Sequence, residues 1–512
     1  MGMEKELKKL DELEREARSG GGPKRIEKQH AAGKLTARER LDLLLDKGSF
    51  VELGMFAQHQ CYDFGMEKRR PWGDGVITGY GKIDGRLVYV YAQDFTVMGG
   101  SVGRVHGQKV AEAHRMAREA GVPIIGLIDS AGGRIQEGGG YSQIFYENVI
   151  TSGVVPQISA VMGNCSGGGV YSPALTDFII MIEKVSQMFI AGPAVVKAAT
   201  GADLTPQELG GTHIHSRISG VCDLVASDDK SCIQLIKDLL SYLPSNYREM
   251  AERKECNDPP DRVEESLCEL VPVDAKRSYD MRKVIQAIVD RGDFLEIKPD
   301  WAKNIITGFA RLNGYSVGII ANQPKFLAGV IDCDASDKAA RFINICNAFN
   351  IPLINLVDVP GYLPGLKEEK KGIIRHGAKM LYAYGRATVP KITCYIRKSY
   401  GGATPAMCSK PMGTDVAMGW PTTEIAVMGA EGAVNVLYRK ELAEAEDREK
   451  VFEEKVKEYR ENFNTPYYAA SRRMIDMIIR PQETRLNLIL TLEMLINKRE
   501  TKPEKRHGIM PV

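Results

Sequence analysis

Polar and hydrophobic positions divide the chain into a charged helical lead, two cycles of mixed strands and helices, and a charged helical end. Residues 1–50 carry helical spacing with one break at SGGGP (residues 19–23). A second helix is expected over residues 36–46, where Thr36 can cap and Glu39 completes a capping box. This lead is expected to pack on the surface of the domain after it. Over residues 75–92, short β-rich runs (GVITGYG, RLVYVYAQ) alternate with glycine turns, which predicts a hairpin. Helical and strand patterns then alternate, the signature of an α/β domain. The charged, proline-containing stretch 253–265 looks like a linker, and near residue 305 the hairpin character returns in ITGFARLNGYSVGIIANQP. Residues 441–499 are strongly helical and are expected to wrap the second domain or a neighbouring subunit.

The two cycles agree in register. Asp129 follows Pro123 by six residues in AREAGVPIIGLIDSAGG, and Asp358 follows Pro352 by six in NAFNIPLINLVDVPG. Gly167 and Gly168 lie eleven and twelve residues after Pro156, as Gly401 and Gly402 do after Pro390. Lys109 and Lys338 each precede their proline by fourteen residues. Three matching offsets predict an internal duplication of about 200 residues per copy, each running helix, strand, loop, helix, strand, glycine turn, helix.

Composition narrows the function. Five hundred and twelve residues exceed one ordinary core. Lys plus Arg (68) against Asp plus Glu (66) leaves a formal +2 with no basic block, which disfavours nucleic acid or an anionic lipid surface as partner. Hydrophobic (44%) and charged (26%) shares are those of a compactly folding chain. The uncharged stretch 148–176 is nearly half Asn, Ser, Gly and Pro, so it is expected to be a loop-rich core segment and not a membrane span. The lead has no apolar signal region, so the cytoplasm is the expected compartment. Ten cysteines without a C-x-x-C read as reduced thiols.

The candidate chemistry lies in the glycine turns. An apolar strand that ends in Gly-Gly before a helix start presents free backbone N–H groups, suited to an oxyanion. Glycine lets the main chain approach a ligand oxygen and adopt positive φ. Two such turns, Gly167-Gly168-Gly169 and Gly401-Gly402-Ala403, are related by the repeat. They suggest two carbonyl reactants facing one another, each oxyanion stabilised by about 3–4 kcal/mol. Gly163-Asn164-Cys165-Ser166-Gly167 has the shape of a nucleophile elbow, but the repeat places Ser399 at the Cys165 position, so Cys165 reads as a small buried residue. His213 and His215 lack further ligands at metal spacing and read as a turn beside a substrate pocket. Met98-Gly99-Gly100-Ser101-Val102-Gly103 resembles a phosphate cradle only loosely and reads equally as a hinge or a close-packing contact.

GKLTARERLDLLLDKGSFVEL, RIQEG, GVVPQISAVMGNCSGGGVYSPALTD, FNIPLINLVDVPGYLPG, GWPTTEIAVMGAEGAVNVLYRKEL and KRHGIMPV together resemble the carboxyltransferase (β) subunit of biotin-dependent acyl-CoA carboxylases and decarboxylases, of the propionyl-CoA carboxylase β-chain and methylmalonyl-CoA decarboxylase α-chain type. The similarity spans residues 33–512. It implies two tandem crotonase-like (ClpP/crotonase superfamily) α/β domains with ββα spiral repeats, residues 1–255 for acyl-CoA and 262–512 for biotin. It also implies a homo-hexamer, a trimer of dimers, with the active site at a dimer interface.

Carried over by motif, Gly167 and Gly168 hold the thioester enolate, and Gly402 and Ala403 hold the biotin ureido oxygen. Gly401, Thr404 and Pro405 flank the biotin. Ser130, Ala131, Gly132, Gly133, Arg134 and Gly169 line the acyl-CoA. The implied reaction moves a carboxyl group between carboxybiotin and the α-carbon of a short-chain acyl-CoA, propionyl-CoA or methylmalonyl-CoA. Carboxybiotin releases CO₂, the ureido anion removes the α-proton and the enolate attacks CO₂, with no protein base and no metal in this chain. The implied partners are a biotin carboxyl carrier protein, since the chain has no Ala-Met-Lys-Met motif, and either a biotin carboxylase subunit or a membrane decarboxylase subunit.

Two segments depart from the family pattern: DSAGGRIQEGGGYSQIF, where typical members have DSGGARIQEG and a longer run before Gly-Tyr, and Thr404-Pro405, where many members carry an Asp. Both line the acyl pocket in the family and point to a different or more apolar acyl group. Two other readings remain open at this level. One is the α-subunit of a biotin-dependent sodium-pumping methylmalonyl- or glutaconyl-CoA decarboxylase. The other is a crotonase-type hydratase or isomerase with Glu137 or Asp129 as base.

Overall fold

The computed structural model describes residues 2–512 and divides them into two compact units, Met1–Glu249 and Met250–Val512. The first holds strands β1 (Val51–Leu53), β2 (Val76–Ile83), β3 (Arg86–Gln93), β4 (Ile124–Ser130), β5 (Gln157–Ser166), β6 (Phe178–Ile182), β7 (Gln187–Phe189) and β8 (Leu224–Ala226). They form one sheet in the order β1-β2-β3-β4-β5-β6-β8, with β7 beside the end of β5. The second unit holds β9 (Phe294–Ile297), β10 (Ile305–Leu312), β11 (Tyr315–Asn322), β12 (Leu353–Val359), β13 (Lys391–Tyr400), β14 (Val416–Gly419), β15 (Glu424–Ala426) and β16 (Met477–Ile478). Its order is β16-β14-β13-β12-β11-β10-β9, with β15 beside β13.

The duplication is therefore strand for strand. In each unit two antiparallel pairings (β1/β2 and β2/β3; β9/β10 and β10/β11) lead into parallel ones. Every residue of β4 and of β12 is buried, as parallel strands covered on both faces require. Helix Arg104–Ala120 lays Val110, Ala113 and Ala117 on Tyr89, Ile124 and Val161 in the first core. Helices Met281–Ile288 and Thr484–Leu495 bury Ile285 and Leu488 against Ile319, Ile354 and Ile392 in the second.

Both sheets carry a register shift at the buried aspartate, between Ile128 and Ser130 and between Val357 and Val359. In each unit the aspartate then accepts from the strand beside it: Asn164 N–H to Asp129 Oδ1 and Lys398 N–H to Asp358 Oδ1, both 3.2 Å. The matched lysines also act alike. Lys109 Nζ donates to the carbonyls of Gly73 and Val76, and Lys338 Nζ to those of Lys298, Trp301 and Ile305. Burial lowers their pKa to about 8 and about 7.

Three segments differ from the sequence reading. The lead has the Thr36–Glu39 capping box, and helix Gly2–Arg18 buries nothing. Yet Gln29, Lys34 and Arg40 reach inward to Asp129. The stretch 253–265 is built into the second unit, where Lys254 N–H donates to Gly314 O and Arg485 holds the Asp258 carboxylate and carbonyl. The helical end contains β16, an edge strand too short for periodicity to reveal. No helix among the described residues is long and apolar enough to cross a membrane.

Candidate active site

Each glycine turn is built where a central strand leaves its sheet. β5 ends at Ser166, Gly167 takes φ 63°, and a 3-10 turn over Gly167–Val170 leads into helix Tyr171–Leu175. β13 ends at Tyr400, Gly401 takes φ 57°, and helix Ala403–Ala406 follows. The left-handed residue swings the next peptide outward, so Gly168 and Gly402 both lie exposed at the crest. The N–H groups of Gly168, Gly402 and Ala403 have no acceptor among the described residues. Gly168 and Gly402 present theirs at the exposed crests, where a ligand oxygen can reach them, whereas Ala403 is buried.

The loop 130–134 is drawn to the first turn. Ser166 Oγ donates to Ala131 O at 2.9 Å, and Ser130 Oγ donates to Gly100 O while accepting from Gly132 N–H. Ala131 and Gly133 are exposed beside the turn, Gly169 is half-buried, and Gly132 and Arg134 are buried. The Arg134 guanidinium is fully engaged by Asp74 Oδ1 and Glu137 Oε1, both at 2.6 Å, and by Ser101 O at 2.8 Å. It fixes the loop and has no charge left to offer. Below the turn lies a recess whose walls include Ile128, Ser130, Tyr141, Ile144, Cys165 and Pro173. At the second turn Thr404 Oγ1 accepts from Ser399 Oγ at 3.0 Å, and Thr404 N–H donates to Gly401 O. Thr404 and Pro405 are half-buried.

The candidate bases are otherwise engaged. Asp129 is fully buried against Lys34 Nζ (3.0 Å), Arg40 Nη1 (3.3 Å) and Gln29 Nε2 (2.9 Å). Glu137 is held by Arg134 and by the Arg104 N–H. Both carboxylates are thus already committed to cations and donors of the fold. Burial also pushes the Cys165 thiol up to about 12, too high for a nucleophile. His213 and His215 lie on helix Thr212–Arg217 and not in a turn, and His215 spends Nε2 on Met188 O and Nδ1 on Ser219 Oγ. The 98–103 segment is a close-packing contact: a Cβ on Gly100 would come within 2.4 Å of Asp129 O.

Sequence reasoning passed over two tyrosines. A Cβ added to Gly168 would meet the Tyr141 ring, and one added to Gly402 would meet the Tyr362 ring. They escaped notice because they are not repeat mates. The bridge Ile331–Tyr362 matches Val102–Gly133, so Tyr362 stands at the Gly133 position.

Residues 28–510 match the carboxyl transferase domain family. The chain is 52% identical over 514 residues to the methylmalonyl-CoA decarboxylase subunit alpha of Veillonella parvula, covering 100% of this chain and 99% of that one. It is 50% identical over 510 residues to the propionyl-CoA carboxylase beta chain of Cereibacter sphaeroides, with 99% of each covered. Among solved structures it is similar to the hexameric transcarboxylase 12S with methylmalonyl-coenzyme A and methylmalonic acid bound, at TM-score 0.98 and 52% identity, covering 100% of this chain and 99% of that one. The likeness extends over both α/β units, as a tandem crotonase-like architecture requires.

Proposed function

This chain belongs to the carboxyl transferase domain family, and on that footing we propose that it transfers a carboxyl group between biotin on a carrier protein and the α-carbon of propionyl-CoA or methylmalonyl-CoA. One observation carries the reading: two exposed turns with free N–H donors, in equivalent places of two repeats, and, among the described residues, candidate bases beside the first that are already committed to cations. Such a site stabilises negative oxygens and leaves proton transfer to the reactants.

Gly168, with Gly167 setting the backbone, donates to the thioester oxygen as enolate character develops at the α-carbon. Ala131 and Gly133 border the acyl group, and Arg134 keeps their loop rigid through Asp74. Gly402 and Ala403 fit a ureido oxygen, because neither N–H has an acceptor of its own among the described residues and Gly402 lies exposed at the crest. Gly401, Thr404 and Pro405 shape that turn. Biotin, when bound, supplies the nitrogen that carries the carboxyl group and exchanges it for the α-proton. Thr404-Pro405 brings no charge to this turn. The similarity to a 12S hexamer supports six copies working together, with a biotin carrier as partner.

The same half-reaction, run toward release of CO₂, serves a decarboxylase. The 52% identity to a decarboxylase alpha subunit supports that second reading, in which the partner subunit sets the net direction. The test is purified chain with methylmalonyl-CoA and free biotin. Propionyl-CoA should form only when biotin is present. Biotin-independent turnover, or hydration of crotonyl-CoA, would sink the proposal.

A further inference from the structure

The geometry points to Tyr141 and Tyr362 as the positioning residues of the two turns, each ring bounding the space beside one exposed glycine so that its N–H stays aimed at a reactant oxygen. A Cβ placed on Gly168 would lie 3.3 Å from Tyr141 Cδ2 and 3.7 Å from Cε2, and one on Gly169 would lie 2.9 Å from the Tyr141 hydroxyl. A Cβ on Gly402 would lie 3.8 Å from Tyr362 Cδ2 and 3.9 Å from Cε2. Each ring is therefore a floor set about one methyl group's width from a glycine whose N–H has no acceptor among the described residues to fix it. The floors are themselves held. Tyr141 stacks on Phe145 (centroids 5.7 Å apart, planes at 9°), and Phe145 meets Tyr171 edge-on at 6.0 Å. Tyr362 is clamped by Gly377, where a Cβ would come within 2.9 Å of its hydroxyl.

Tyr141 starts the helix Tyr141–Thr151, whereas Tyr362 lies in the loop after β12 at the place of Gly133. Two unrelated positions in the duplicated chain thus supply the same ring to the same peptide. Common descent of the halves does not account for that, but a shared mechanical need does. A flat ring restrains a glycine peptide without covering its outer N–H, and an aliphatic side chain leaves it free to rock. The hydroxyls contribute less: both are buried without a hydrogen-bond partner among the described residues.

This inference rests on the carboxyltransferase reading, and the test separates the two. Isotope-edited infrared spectra of the full-length protein would be recorded with carbonyl-¹³C propionyl-CoA and, separately, with ureido-¹³C biotin. In the wild type both carbonyl bands should move to lower wavenumber on binding. Tyr141→Leu should lose the propionyl-CoA shift alone and lower kcat by about tenfold to a hundredfold. Tyr362→Leu should lose the biotin shift alone. Tyr141→Phe and Tyr362→Phe, which keep the rings, should restore both. Circular dichroism checks folding, and if a leucine variant fails to fold, the methionine variant carries the same expectation. Shifts retained in the leucine variants, or lost in the phenylalanine variants, overturn the positioning role. A wild type with no shift for either ligand removes the site assignment, and this inference falls with it.

Discussion

Arg397 occupies in β13 the position that Gly163 occupies in β5, and both answer to the same buried aspartate of the repeat. Arg397 Nε donates to Asp358 Oδ2 at 2.9 Å, with both side chains almost wholly buried. In the first unit a Cβ on Gly163 would lie 2.1 Å from Asp129 Oδ1, so the counter-charge comes from outside the strand, from Lys34 and Arg40. One half neutralises its aspartate from within, and the other borrows the N-terminal lead.

Breaking either arrangement should be costly. Arg397→Met leaves Asp358 buried without its cation, a loss of about 3–5 kcal/mol. Gly163→Ala forces a methyl group onto the Asp129 carboxylate, an overpacking penalty of about 1–3 kcal/mol or more. Both should appear as a lowered urea midpoint, with Arg397→Met the larger change.

Bulk at the crests should stop the reaction. Gly168→Val and Gly402→Val each put branched carbons against the tyrosine floor and tilt the free N–H, with an expected drop in kcat of about 10²–10³. Gly401→Ala, which forces φ 57° on an L-residue, should cost about 1–2 kcal/mol of stability. Steady-state rates with methylmalonyl-CoA and biotin, beside melting curves, check both.

Stability should fall in mild acid. His106 and His114 are fully buried and held down to about 3, chiefly by desolvation. Their native pKa lies below the unfolded value of about 6.5. Between those values the unfolded chain binds more protons, so the contribution is whole above about pH 6.5 and is lost as the pH falls toward 3. Each histidine adds up to about 1.4 kcal/mol per pH unit to that slope. His114→Phe, which keeps a ring against Tyr91, should flatten the decline in urea midpoint between pH 6.5 and 4.

Cys165 should be dispensable for chemistry. Its thiol is buried and pushed up to about 12, so Cys165→Ala should keep kcat within about threefold, and iodoacetamide should leave the wild-type rate unchanged at neutral pH.

The duplication was legible because it rests on local rules. Prolines that end loops, apolar runs long enough for covered parallel strands and glycines at φ near 60° leave a trace at fixed offsets, and the structure returns them as β4 with β12 and β5 with β13. The two turns were found the same way. Arg134 was legible as a loop residue, but its partner Asp74 lies sixty residues away, so its full engagement was not.

The sequence by itself determined the repeat, the succession of elements within it and the two places where backbone donors could face a reactant, since each depends on residues near one another along the chain. Only the tertiary structure decided which side chains serve those places. Tyr141 and Tyr362 break the repeat's register, and Lys34 and Arg40 reach Asp129 from ninety-five and eighty-nine residues away. Such contacts arise from how the chain closes in space, and a linear pattern carries no term for that closure.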